Sequence, residues 1–101
     1  MTAAVHVVAR DKIVEFCQRW RVAEFALFGS MARGEVHPGS DVDVLVTFAP
    51  DAGWSVFDLV EMQEELKVMF GREVHLVERG GLRNPFRRHE ILRSMEIVYA
   101  A

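Results

Sequence analysis

The sequence has one cysteine, Cys17, so an internal disulfide is excluded and a reducing compartment is the natural setting. No apolar run approaches the ~18 residues that a membrane span needs. The stretch from Met1 to Lys12 has no basic start followed by an apolar core, and Arg10-Asp11-Lys12 arrives early, so no leader is expected and the cytoplasm is. An excess of positive charge is also missing. Twelve Lys and Arg against fifteen Asp and Glu give a net charge of −3. With a pI near 5.8, the charge argues against general nucleic-acid binding, because such proteins present a basic surface. Internal repeats, low-complexity stretches and interdomain linkers are absent too.

What is present is a globular composition: 101 residues, half of them hydrophobic and 27% charged. That is one domain over residues 1–101, large enough to bury somewhat more than ~60% of its unfolded surface without metal or disulfide staples. The charges are segregated. From Glu35 to Glu65 nearly all are acidic, whereas Arg79, Arg83, Arg87, Arg88 and Arg93 face one carboxylate, Glu90. Two readings follow: solvated faces of two helices, or an acidic metal-binding centre beside a basic edge.

Hydrophobic periodicity lays out the elements. Ala9, Ile13, Phe16, Cys17 and Trp20 form one face of a first helix. Glu24 to Phe28 is a short apolar run, read as a buried strand that stops at Gly29-Ser30. Met31 to Arg33 is a single helical turn closed by Gly34, and His37-Pro38-Gly39-Ser40 is a turn. Asp41 to Phe48 alternates with period two: Val42, Val44, Val46 and Phe48 on one face, Asp41, Asp43, Leu45 and Thr47 on the other. Leu59, Met62, Leu66, Met69 and Phe70 form the stripe of a second long helix ended by Gly71. Glu73 to Glu78 alternates again, as a third strand. After Gly80-Gly81, Asn84-Pro85 opens a last helix with Ile91, Leu92, Met95 and Val98 on its buried side. The order α-β-(short α)-β-α-β-α predicts a small α+β fold around one mixed sheet.

Two features carry chemistry. Asp41 and Asp43, at i and i+2 of a strand, project from one face about 7 Å apart along the chain. Carboxylates that close repel unless a cation sits between them, and hard oxygen donors suit Mg²⁺ or Mn²⁺ together with substrate phosphates. Gly29-Ser30 supplies a turn where backbone can approach a ligand, with N–H groups and a hydroxyl to meet phosphate. Separately, each has a plain structural explanation: a solvent-facing strand start and a helix N-cap.

Together, Gly29-Ser30, then Ala32-Arg33-Gly34, then Ser40-Asp41-Val42-Asp43-Val44-Leu45-Val46, resemble the GSxARG and SDxDxLV signature of the minimal nucleotidyltransferases of the DNA polymerase β superfamily. Many members of that family are antitoxins of HEPN-domain toxins. The likeness extends over the leading helix, the Phe57 to Leu66 helix and Leu82 to Pro85. It implies a nucleotidyltransferase fold and transfer of AMP from ATP to a hydroxyl of a HEPN-type partner protein, with release of pyrophosphate. By position, it implies phosphate binding at Gly29 and Ser30, with Arg33 as a further triphosphate contact, and metal binding by Asp41 and Asp43. The third strand departs from the family pattern, with Val74-His75-Leu76-Val77 where the family has an aspartate in place of the histidine. Imidazole suits Mn²⁺ or Zn²⁺ better than Mg²⁺, and His75 can accept a proton near neutral pH. Glu73 is the other carboxylate on that face. The departure leaves two functions in view: an adenylyltransferase, or a binding module that neutralises its partner by complex formation. A nucleotide-binding protein without a toxin partner is a third. His37 could flank the nucleotide; His6 and His89 read as surface residues. Arg83, Arg87 and Arg88 could hold a partner or the nucleotide.

Overall fold

The computed structural model describes residues 10–34 and 39–101, without the side chains of Met31 and Arg33. His6, Ala9, His37 and the start of the turn at Pro38, and the side chain of Arg33, therefore lie outside the described residues. The elements run α1 (Arg10–Arg19), β1 (Val22–Phe28), α2 (Ser30–Arg33), β2 (Val42–Phe48), α3 (Val56–Phe70), β3 (Val74–Glu78), a 3₁₀ turn (Arg79–Gly81), α4 (Pro85–Ser94) and β4 (Glu96–Ala100). The strands form one sheet in the order β3-β2-β1-β4. β1 pairs antiparallel with β2 and β4, and β2 pairs parallel with β3. This is the expected α+β class.

The alternation in β2 explains why the sheet has two covered faces. Val42, Val44 and Val46 meet Ile13, Phe16 and Cys17 of α1 and Met62, Leu66 and Phe70 of α3 in the larger core. Leu45 points the other way and packs with Ala26, Phe28, Leu82 and Ile91 beneath α4. Asp41 and Asp43 share the parity of Leu45, so the sheet itself carries them to the α4 side. Truncating a core side chain such as Leu66 to alanine is expected to cost ~2–5 kcal/mol.

Local chemistry fixes the helix ends. Ser55 and Asp58 form a capping box at the start of α3, Ser55 N donating to Asp58 Oδ2 at 2.8 Å and Asp58 N to Ser55 Oγ at 3.3 Å. Gly71 ends α3 in the left-handed conformation, its N–H bonding Lys67 O. Asn84 Oδ1 accepts from the N–H groups of Phe86 and Arg87, with Pro85 in the first turn of α4.

The last helix is shorter than the periodicity predicts. It stops at Ser94, and Glu96–Ala100 becomes β4 instead of continuing to Val98. The segment Glu-Ile-Val-Tyr-Ala is rich in strand formers. It satisfies the otherwise open edge of β1, where unpaired backbone groups would be left. Val98 is still buried, now by strand alternation, while Ile97 faces out.

The later part of the acidic run serves the scaffold at Asp51, Asp58, Glu64 and Glu65. Arg19 Nη1 and Nη2 donate to both Glu65 oxygens, and this guanidinium holds the Glu65 carboxyl below the usual carboxylate range. At this exposure such a pair contributes about 1 kcal/mol or less. Asp51 pairs with Arg21 and Glu64 with Lys67. No helix among the described residues is long and apolar enough to cross a membrane.

Cys17 is fully buried, and burial pushes its thiol up to about 12. The raised value favours the protonated thiol in the fold. The linked stability is present below pH 9.0, its ordinary value, and is lost as the pH climbs toward 12. Native protein at neutral pH should therefore react with a disulfide reagent on the order of 100-fold more slowly than urea-unfolded protein. Equal rates, measured by absorbance of the released thiolate, would contradict a core Cys17.

Candidate active site

The carboxyl end of β1 and the amino ends of β2 and β3 meet at one edge of the sheet, because β1 runs antiparallel to β2 and β2 parallel to β3. Gly29, Ser30, Asp41, Asp43 and His75 lie there. Phe28, the last residue of β1, is opposite Asp43, and Asp43 is in turn the register neighbour of His75 across the parallel pair. Neighbouring strands are about 4.8 Å apart, so Asp43 and His75 stand side by side on one face.

Asp41 lies immediately before β2. Its Oδ2 is 2.9 Å from His75 Nε2, and the side chains are 48% and 61% exposed respectively. A neutral imidazole donating from Nε2 would orient that carboxylate and leave Nδ1 open as an acceptor. The backbone around Asp41 is held from two sides. Val42 N donates to Glu73 O at 2.9 Å, and Arg72 Nη1 donates to Ser40 O at 3.2 Å.

Gly29 is the tightest point of the site. Its φ of 71° is left-handed, which costs an L side chain ~1–2 kcal/mol. A Cβ there would overlap Asp43 Oδ2 and lie 3.2 Å from Asp43 Cγ. Two separate constraints therefore demand glycine, one of backbone and one of space. Ser30 follows as the first residue of the short α2.

Beyond Asp43, on the β3 side, an open cleft of about 410 Å³ is lined by Phe28, Asp43, His75, Leu76, Val77, Gln63 and Arg87. Phe28, Leu76 and Val77 line it beside an amide, an imidazole, a carboxylate and a guanidinium. Arg87 is the cation among these lining residues. Arg79 is paired with Glu24 at 3.5 Å, and Arg83 and Arg88 are exposed outside the cleft.

The structure thus brings Gly29, Ser30, Asp41, Asp43 and His75 to one edge; the Arg33 side chain is outside the described residues. Glu73 does not join them. It is 71% exposed and reaches Lys67 at 3.4 Å. Arg72 and Gln63 were not predicted. Gln63 Oε1 accepts from Leu76 N at 3.2 Å, on the outer edge of β3. Gly71-Arg72 reads only as a helix stop, and no spacing ties Arg72 to Ser40. Among the described residues no three or more His, Cys, Asp or Glu side chains cluster closely enough to hold a metal by themselves. The two carboxylates are oxygen donors of the number that Mg²⁺ takes from protein when substrate phosphates complete its shell.

Residues 10–98 match the model of the nucleotidyltransferase domain. The protein adenylyltransferase MntA of Thermococcus cleftensis is 36% identical over 85 residues, 84% of this chain and 81% of that protein. A solved structure assigned as a minimal nucleotidyltransferase is 32% identical, with a TM-score of 0.72 and 86% of each chain covered. The fold is also that of a chain in the complex of a tri-AMPylated Shewanella oneidensis HEPN toxin with its MNT antitoxin, at 16% identity. The TM-score is 0.67, with 91% of this chain and 70% of that one covered. The chain belongs to the nucleotidyltransferase domain family, among the minimal nucleotidyltransferases related to protein adenylyltransferases.

Proposed function

We propose that this chain transfers AMP from ATP to a hydroxyl of a HEPN-type partner protein, with a divalent cation, and is the antitoxin of that pair. The observation that carries the proposal is the seat of the Asp43 carboxylate against Gly29, with Asp41 and His75 beside it on the same sheet edge. The activity named for the Thermococcus relative and the modified toxin in the Shewanella complex support the choice of a protein acceptor.

The roles follow from position. The Gly29-Ser30 turn, where Gly29 carries no Cβ to block approach, takes the β- and γ-phosphates on the β1 side. Asp41 and Asp43 hold Mg²⁺ or Mn²⁺; when bound, the cation neutralises charge on the phosphates and polarises the reacting oxygens. The cleft on the β3 side then receives the acceptor. Its hydroxyl attacks the α-phosphorus, the bond to the bridging oxygen of the β-phosphate breaks, and pyrophosphate leaves. His75 takes the hydroxyl proton at Nδ1 while Nε2 stays on Asp41. Arg87 faces the transferring phosphoryl group from the cleft wall. Arg33, three residues past Ser30, is a further triphosphate contact.

A second reading has its own observation. His75 occupies the register position beside Asp43 where the family resemblance implies a carboxylate. A nitrogen there weakens an Mg²⁺ site, and a chain with slow chemistry would still bind and neutralise its partner.

Three measurements decide. Calorimetry should detect ATP binding that requires Mg²⁺ or Mn²⁺ and disappears in Asp41→Ala/Asp43→Ala; the same affinity in the double variant would remove the carboxylates from the site. Gly29→Ala should lower the melting temperature by several degrees, for a loss of about 2 kcal/mol or more, and weaken ATP binding. An unchanged melt and affinity would mean that Asp43 does not depend on that seat. For His75→Asp, single-turnover transfer of labelled adenylate with Mg²⁺ should rise by ~10²-fold if a carboxylate is what the site lacks. A fast wild type that this change slows would establish histidine as the working proton acceptor.

A further inference from the structure

A cleft that admits one side chain does not by itself choose a protein; the surface next to it does. This step rests on the proposed transfer to a protein acceptor. A second, shallower depression of about 130 Å³ lies along the outer edge of β3, bounded by Val56, Leu59, Val60, Gln63, Leu76 and Glu78. Gln63 and Leu76 also line the cleft that holds Asp43 and His75. The two hollows therefore share a wall and form one track running from α3 into the candidate active site.

The bank of this track is apolar and open. Val56 and Val60, which line it, are 73% and 57% exposed, and Phe57, next to them on α3 but outside the lining, is 86% exposed. Val56, Val60 and Gln63 are spaced i, i+4, i+7, so they share the flank of α3 that leans over β3. The larger core already holds Met62, Leu66 and Phe70 on the inner face, and Val56, Phe57 and Val60 stand outside it. Exposed apolar groups gathered beside a functional cleft mark an interaction surface.

The track also says how it is filled. β3 is an edge strand, yet its outward Leu76 N–H is occupied by Gln63 Oε1. A partner strand cannot add at that point, and the occupant docks through side chains. At the far end stands Glu78, exposed, in no ion pair among the described residues. Lys67, the cation of that side of α3, is taken by Glu64 and Glu73. The depression thus offers apolar walls and one carboxylate awaiting a cation.

We propose that the strip Val56-Phe57-Val60, with Glu78, is the docking site for the acceptor protein, which places apolar side chains on the strip and a lysine or arginine on Glu78. Docking there sets which hydroxyl reaches the cleft, because the distance from strip to cleft is fixed by Gln63 and Leu76. Acceptor choice then lies in the strip and chemistry in the cleft.

The test uses the full chain with a purified HEPN-domain protein from the same genome, in a binding titration and in adenylate transfer at varied partner concentration. Phe57→Asp/Val60→Asp should weaken partner binding at least about tenfold and raise the KM for partner. The affinity for ATP with Mg²⁺ and kcat at saturating partner should stay at wild-type values. Glu78→Lys, at an exposed site that no fold contact needs, should weaken binding in the same direction and carries the test should the double variant misfold. Wild-type partner affinity in Glu78→Lys and in a folded double variant overturns the proposal. So does a wild-type chain that sediments as a dimer dissociated by the strip substitutions, since the occupant would then be a second copy. Loss of ATP binding in the wild type itself would instead refute the transferase reading, while the partner titration would still judge the strip.

Discussion

The close approach of Gly29 to the Asp43 carboxylate is the constraint on which the rest of the site depends. The carboxylate needs that space, because any Cβ at position 29 would enter it. It exists because β1 ends at Phe28, directly across from Asp43, and the chain turns away through a left-handed residue. The parallel register of β2 and β3 then brings His75 alongside. Shifting any one of the three strands by a residue would send its side chain to the opposite face and dismantle the group.

That dependence explains the division of labour between the two faces of the sheet. One face is closed by α1 and α3 over a valine-rich β2, and it holds the sheet in register. The other is covered only in part, by Leu82 and Ile91 beneath α4, leaving the edge with Asp41, Asp43 and His75 open. Charge follows the same plan. Between Asp51 and Glu65, Asp58 caps a helix and Asp51, Glu64 and Glu65 pair with arginine or lysine, so these four serve the scaffold while Asp41 and Asp43 stand at the open edge.

Much of this was legible in the sequence, for physical reasons. The period-two pattern of β2 assigned Asp41 and Asp43 to one face, and the burial of Val42, Val44 and Val46 on the other agrees. The capping box of α3 was hidden in Ser55 and Asp58, but Gly71 marked where that helix stops. β4 was missed because Ile91, Leu92, Met95 and Val98 continue a helical period. What decides against helix is the open edge of β1, a partner that lies some seventy residues earlier in the chain. Arg72 on Ser40 and Gln63 on Leu76 are likewise long-range contacts, made by residues whose local pattern is that of any helix surface or helix end. The diversion of Glu73 to Lys67 was equally unreadable, since strand parity alone put it beside His75.

The central claim is that this edge of the sheet holds a divalent cation together with a nucleotide. Its most direct test is paramagnetic broadening of backbone amide resonances by Mn²⁺ in the presence of a non-hydrolysable α,β-methylene ATP. The account predicts broadening centred on Gly29, Asp41, Asp43 and His75, with the Glu61 and Glu64 surface of α3 left sharp. Broadening centred on that α3 surface, with Gly29 and Asp43 untouched, would contradict it.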